Sequence, residues 1–284
     1  SHGTAVASIV AAVAPKCSIL NLKVLNDEGE GTEEAVTLAI DDCITLKKEE
    51  SQYTPCVINL SLGSPDDGNP NNPLRVACRA AIANGIYVGA SCGNSGPQAG
   101  TITCPACEHD VCAVGSAKYL PDTETYLVSD FSSRGPTIEG LVKPDTVMFG
   151  EDLIVASSDS DTATDAKSGT SFATPIISSF GLIYLEGMSV IGITHRFPGE
   201  IPWAGEVMPL GELIDEHFPD ICTRVEEVKN NEAGWGIVFG PLVTQAVGKV
   251  KAVVDISSVM TAAMGIMAIG MLGMVVSSMA KVFR

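Results

Sequence analysis

The run Ser168-Gly169-Thr170-Ser171-Phe172-Ala173-Thr174-Pro175 places a serine between a glycine-loosened turn and an apolar stretch. Gly169 permits a tight turn. Thr170 or Ser171 is suited to cap the helix that follows. Pro175 fits a first helical turn, where no N–H donor is needed. From Phe172 to Leu185 no charged residue occurs, so this helix is expected to be buried nearly all round. Its N-terminus would offer free N–H groups and partial positive charge to an oxyanion formed beside Ser171. Taken alone, the run reads equally well as an ordinary cap on a buried helix. Two other stretches decide between these readings.

One is Ser1-His2-Gly3-Thr4-Ala5-Val6-Ala7-Ser8. The other is Gly89-Ala90-Ser91-Cys92-Gly93-Asn94-Ser95-Gly96-Pro97. A serine hydroxyl becomes a useful nucleophile when a histidine takes its proton. The tetrahedral oxyanion then needs donors, which an Asn side chain and a backbone N–H supply. His, Asn and Ser in this order, each in a glycine-rich setting, resemble the subtilase family of serine endopeptidases. The likeness covers about the first 185 residues, includes Asp130-Phe131-Ser132-Ser133-Arg134-Gly135-Pro136 and Val142-Lys143-Pro144-Asp145, and returns near Gly234-Trp235-Gly236.

By that resemblance His2 matches the general base, Ser171 the nucleophile and Asn94 the side-chain oxyanion donor. Asn94 also has turn chemistry around it. The run Ser61-Leu62-Gly63 matches an edge that pairs with the substrate backbone. Ala90, Ser91 and Gly93 are placed with it as substrate-binding positions. The implied substrate is a peptide or protein. The implied fold is an α/β three-layer sandwich with a mostly parallel sheet between helices. Calcium is a cofactor that the family allows. The short passage Val13-Ala14-Pro15-Lys16 replaces the longer loop that often helps to bind it, and Met148-Phe149-Gly150 departs from the family's usual Ala-Pro-Gly.

The resemblance also implies an aspartate upstream of the histidine. The first aspartate here is Asp27, in a different context. The sequence is therefore read as a fragment whose upstream part carries that residue, and by itself it is expected to hydrolyse little. The competing reading is a catalytically silent module that binds peptide or assembles through its tail. Asp145 is an acid of the right type, but its landmark setting marks it as structural.

Composition narrows the field. The 284 residues allow one large α/β domain and an appendage. A net charge of −17 leaves no basic stripe for phosphates and excludes nucleic-acid binding. Aromatics make up only 5%, so small aliphatic side chains must fill the core. Nine cysteines are scattered and odd in number. The run Cys104-Pro105-Ala106-Cys107-Glu108-His109-Asp110-Val111-Cys112 admits a zinc knuckle, a disulfide or free thiols. A strand through it would turn Val111 and Cys112 to opposite faces, against a knuckle.

Local patterns give the order of elements. A small apolar helix is expected over Ala5–Ala14. Cys17–Leu25 alternates as a strand does. Thr32 starts a helix running to Lys47, with Glu33 and Glu34 in its first turn. Strands follow at Pro55–Leu62 and Ile86–Ser91, with a helix over Leu74–Asn84 between them. This alternation implies a parallel sheet, and sites in such sheets lie beyond the carboxyl ends of strands, where Asn94 stands. Tyr126–Phe131 reads as a further strand and Gly234–Val247 as a closing turn and last helix. Three parts result: a core over 1–186, an elaboration and closing helix over 187–248, and an apolar segment over 249–284. His195 and His217, in the elaboration, read as solvated or structural.

From Ile256 to Ala280 no charge occurs, a length of roughly the 20 residues a bilayer requires. Met260, Met264, Met267, Met271 and Met274 recur as a heptad seam, and Gly265, Gly270 and Gly273 allow close helix contact. The segment is read as a helical membrane anchor with a capacity for self-association, and the protein as extracellular or cell-surface. A buried or oligomerising helix is the alternative.

Overall fold

The middle layer is a sheet of seven strands, seen in a computed structural model that describes residues 2–49, 53–120, 122, 125–190, 200–203, 206–209, 211, 213–223 and 229–238. In chain order the strands of the structure are β1 (Val57–Leu60), β2 (Ser64–Pro65), β3 (Tyr87–Ser91), β4 (Thr103–Cys104), β5 (Cys112–Leu120), β6 (Thr125–Val128) and β7 (Thr146–Phe149). They continue as β8 (Leu153–Ala156), β9 (Thr164–Lys167), β10 (Glu200–Trp203), β11 (Glu206–Pro209), β12 (Cys222–Thr223) and β13 (Ile237–Val238). The sheet order is β1-β3-β5-β7-β13-β12, with β6 paired to β5. The pairs from β1 through β13 are parallel, while β12 and β6 join antiparallel. The remaining strands form three two-stranded ribbons, β2 with β4, β8 with β9, and β10 with β11.

Among the described residues, four helices of more than two turns flank the sheet: α1 (His2–Val13), α2 (Glu33–Lys48), α3 (Pro73–Ala83) and α4 (Thr170–Val190). Thr32 caps α2 by accepting from Ala35 N–H at 3.1 Å, and Glu33 and Glu34 follow it, as the sequence indicated. Asn72 caps α3 by accepting from Leu74 N–H at 2.9 Å. α4 packs against β1, β3, β5 and β7 on one side and α1 on the other. Every residue from Phe172 to Ser179 is buried. A helix apolar all round can occupy only such a position. Small residues make this contact close: β5 is fully buried over Cys112–Ala117.

Four expectations need correction. Cys17–Leu25 forms no strand: Leu22 and Val24 pack on the core while Ile19 and Leu20 are exposed, so the alternation is there but the ladder partner is not, among the described residues. β6 ends at Val128: Ser129 N–H still bonds Ser116 O of β5, but Ser132 N–H returns to Ser129 O in a turn that takes the chain out of the sheet. Pro175 lies inside α4 rather than in its first turn, since the helix begins at Thr170. The expected last helix within Gly234–Val247 is replaced at its start by β13, and the rest of it falls outside the described residues. The apolar tail and His195 also lie outside them. No helix of the described residues is long and apolar enough to cross a membrane.

Candidate active site

The amino end of α4 meets the carboxyl ends of β1 and β3. Gly169 has φ +152°, a conformation that side chains with a Cβ rarely adopt. It turns the chain from Lys167 into the helix. The cap is not Thr170 or Ser171 but Asn94, from the turn after β3. Its Oδ1 accepts from Thr170 N–H at 2.9 Å and from Thr170 Oγ1 at 3.0 Å. With Oδ1 so committed, Nδ2 projects past Gly169, 3.6 Å from where a Cβ on that residue would stand. Asn94 is exposed, so this amide faces the surface side of the helix end. Ser171 N–H, in the first turn, has no carbonyl four residues back within the helix.

His2 opens α1, and its ring rests on Phe172, the residue after Ser171, with centroids 5.6 Å apart at 49°. Desolvation on that side lowers the imidazole pKa below 6.5. Ser8, two turns along α1, accepts from Ala156 N–H at 3.1 Å and ties the helix to β8. Among the described residues no ion pair or hydrogen bond joins His2 to a carboxylate.

Ser61-Leu62-Gly63 leaves β1 and enters no ladder before β2. Ser61 and Ser171 exchange two hydrogen bonds: Ser61 Oγ donates to Ser171 O at 2.7 Å, and Ser171 Oγ donates to Ser61 O at 3.3 Å. Ala90 and Ser91 end β3 fully inside. The Ser91 hydroxyl bonds Leu62 O at 3.3 Å, which holds the two strand ends together. Gly93 continues the turn to Asn94 with φ +106°. Thus positions 2, 61–63, 93, 94 and 171 come to one corner of the sheet, while the side chains of 90 and 91 support it from within.

Asp145 is elsewhere. It is fully buried and accepts from Ala113 N–H, Lys143 Nζ and Lys229 Nζ, each at 2.7 Å. Burial would raise its pKa, but the two ammonium groups outweigh that and hold it low. Sequence reasoning found Asp145 but missed Lys229, far along the chain. It also missed the second buried charge cluster, in which Glu108 takes Arg75 Nε at 2.8 Å and also Arg79. A glutamate inside a cysteine run was its signal.

All nine cysteines are thiols. Burial pushes Cys78, Cys92 and Cys112 up to about 12, far from reactive thiolates. β5 begins at Cys112, which prevents a knuckle, and His109 turns away to Asp110 at 2.8 Å. No three or more His, Cys, Asp or Glu side chains among the described residues are placed to hold a metal ion. Calcium therefore enters no step below.

The model of the subtilase family (peptidase S8) matches residues 1–188. The chain is 31% identical over 193 residues to the serine protease AprX of Bacillus subtilis (strain 168), covering 61% of this chain and 43% of that protein. It is 27% identical over 201 residues to subtilisin-like protease 1 of Arthroderma otae, covering 69% and 38%. It spans less than half the length of these two relatives. Among solved structures, the S41 psychrophilic protease aligns with a TM-score of 0.64 at 24% identity, over 84% of this chain and 77% of that one. The α/β sandwich with a mostly parallel sheet is therefore the subtilisin-like fold.

Proposed function

This chain belongs to the subtilase family, and from that premise we propose that it is the catalytic domain of a serine endopeptidase. Ser171 Oγ attacks the scissile carbonyl while His2 takes its proton. Asn94 Nδ2 and Ser171 N–H hold the oxyanion of the tetrahedral intermediate. The imidazolium then gives its proton to the departing amine, and water releases the acyl group by the reverse sequence. The single observation that supports this reading most is the seating of His2 on Phe172 beside a serine whose helix is capped by Asn94.

An extended peptide or protein substrate pairs with the unladdered edge at Ser61–Gly63, where backbone groups give affinity without reading sequence. The carboxylate that orients His2 is supplied from upstream of this chain, so the chain by itself is weak or silent as an enzyme. The core ends near residue 186, the segment to 248 elaborates it, and 256–280 anchors the protein at the cell surface. An alkaline carbonate wash tests the anchor: retention in the membrane fraction is expected, and release contradicts it.

The activity is tested with a fluorophosphonate probe on the chain alone and on the chain extended upstream. Labelling of Ser171 in the extended protein, lost in Ser171→Ala and His2→Ala, is the expected result. Absence of labelling in both forms would leave the silent peptide-binding module as the correct reading.

A further inference from the structure

An α-helical carbonyl bonds the N–H four residues on. For Ser171 that residue is Pro175, which has no N–H. The carbonyl of the proposed nucleophile is therefore deprived of its helix donor, and the proline ring crowds it outward. Its partner comes from another element: Ser61 Oγ donates to it at 2.7 Å.

That hydroxyl is itself held. Asn59 Nδ2 donates to Ser61 Oγ at 2.9 Å, and Ser178 Oγ donates to Asn59 Oδ1 at 2.9 Å. The donors all run in one direction, from Ser178 to Asn59 to Ser61 to Ser171 O, and the chain closes on the helix it left, two turns away. Each member is hard to explain by packing. Asn59 is a polar residue on the face of β1 that meets α4, where an apolar side chain is the rule. Ser178 is 2% exposed, and unlike Thr174 and Ser179 it does not bond its own helix: those two donate to Thr170 O and Pro175 O. Gly89 stands opposite Asn59 on β3, and a Cβ there would lie 2.9 Å from Ser178 Oγ. The missing side chain makes room for the relay.

We propose that Asn59, Ser61 and Ser178 are positioning residues whose hydrogen-bonded relay replaces the backbone bond that Pro175 removes and so fixes the peptide plane after Ser171. The inference rests on Ser171 being the nucleophile for its catalytic meaning, but the relay itself is a matter of helix bonding. Asn59 and Ser178 act through Ser61, and the Ser61 side chain acts through the Ser171 carbonyl.

The test is a double-mutant cycle between Ser61→Ala and Pro175→Ala in the extended protein, because Pro175→Ala returns the missing N–H donor. Ser61→Ala is expected to slow the maximal rate of fluorophosphonate labelling about tenfold, as loss of one buried hydrogen bond does. The probe concentration for half-maximal rate should stay within about twofold. Ser61→Thr keeps a hydroxyl and should lose less of the rate than Ser61→Ala. In the double variant the penalty of Ser61→Ala should largely vanish. Amide exchange over residues 170–176 is followed in the same four proteins, with protection lost in Ser61→Ala and regained in the double variant. Independent, multiplying effects on the rate, or a change confined to half-maximal concentration, would overturn the relay. If the unmodified protein labels nowhere, the peptidase reading fails, and the exchange cycle still decides: regained protection supports the relay and unrestored protection refutes it.

Discussion

Two polar centres lie at opposite ends of one parallel sheet. Asp145 sits just before β7, at the amino ends of β5 and β7, with Lys143 and Lys229 around it. Asn94, Ser171 and His2 gather at the carboxyl ends of β1 and β3. In the first centre the carboxylate is sealed and takes three donors, and Lys143 adds bonds to Val111 O and His109 O at 2.9 and 3.1 Å. In the second, the Asn94 amide nitrogen and the imidazole remain at the surface, with no hydrogen-bond partner among the described residues. The contrast separates two uses of polarity. Saturated groups hold the fold, and groups that the fold aims but does not satisfy are available for chemistry.

The comparison can be broken in order of effect. Ser171→Ala should abolish labelling, on the order of a millionfold on a scale measured for subtilisin, the type member of the family. Its long 3.3 Å bond to Ser61 O means the thermal midpoint should barely move. A large fall in stability would show that the hydroxyl belongs to the structural kind. Asp145→Asn should do the reverse. It leaves the buried Lys143 ammonium facing a neutral amide, while Lys229 keeps Asp215 at 2.7 Å, and should lower stability by about 3–5 kcal/mol, measured by denaturant unfolding. An unfolded carboxyl titrates near 3.8 and the folded one lower, so Asp145 contributes fully above 3.8 and loses its contribution as pH falls below that value. Urea midpoints across pH 2–6 check the sign.

Asn94→Asp is sharper than Asn94→Ala. Aspartate keeps an oxygen for Thr170 N–H, so the cap survives, but replaces the Nδ2 donor with a second oxygen. Labelling should fall by at least about 3 kcal/mol in transition-state terms, again the subtilisin scale, with melting unchanged. Equal losses of stability and activity would mean that Asn94 is only a cap. The smallest effect is in the imidazole. An NMR titration of His2 in the chain alone should give a pKa below 6.5. Adding the upstream carboxylate should shift it upward. A value already above 6.5 in the chain alone would show a carboxylate beside the ring.

Much of this was legible in the sequence, for stated reasons. Thr32, Glu33 and Glu34 announce α2 because capping is local. The Phe172–Leu185 helix was legible because its uncharged run calls for burial, which the structure gives to Phe172–Ser179, Tyr184 and Leu185, with Phe180–Ile183 half-buried. The glycine-rich settings of Asn94 and Ser171 pointed to this corner, because Gly93 (φ +106°) and Gly169 (φ +152°) turn the chain there, whereas His2 opens α1. What escaped depends on distant partners. Cys17–Leu25 alternates like a strand, yet pairing is set by neighbours that the pattern does not contain. β7, four residues long, and the β8–β9 ribbon carry too few residues for a period to be recognised. Pro175 was misread because helix starts are uncertain by a turn, and the true start makes its missing N–H consequential. Lys229 shares no motif with Asp145, 84 positions away.

The central claim is that the Ser171 hydroxyl is activated by His2. Mass-spectrometric mapping of the fluorophosphonate adduct on the extended protein tests it directly. The account predicts a single adduct on Ser171 that disappears in His2→Ala while the fold stays intact. An unlabelled Ser171, or labelling indifferent to His2, would contradict it.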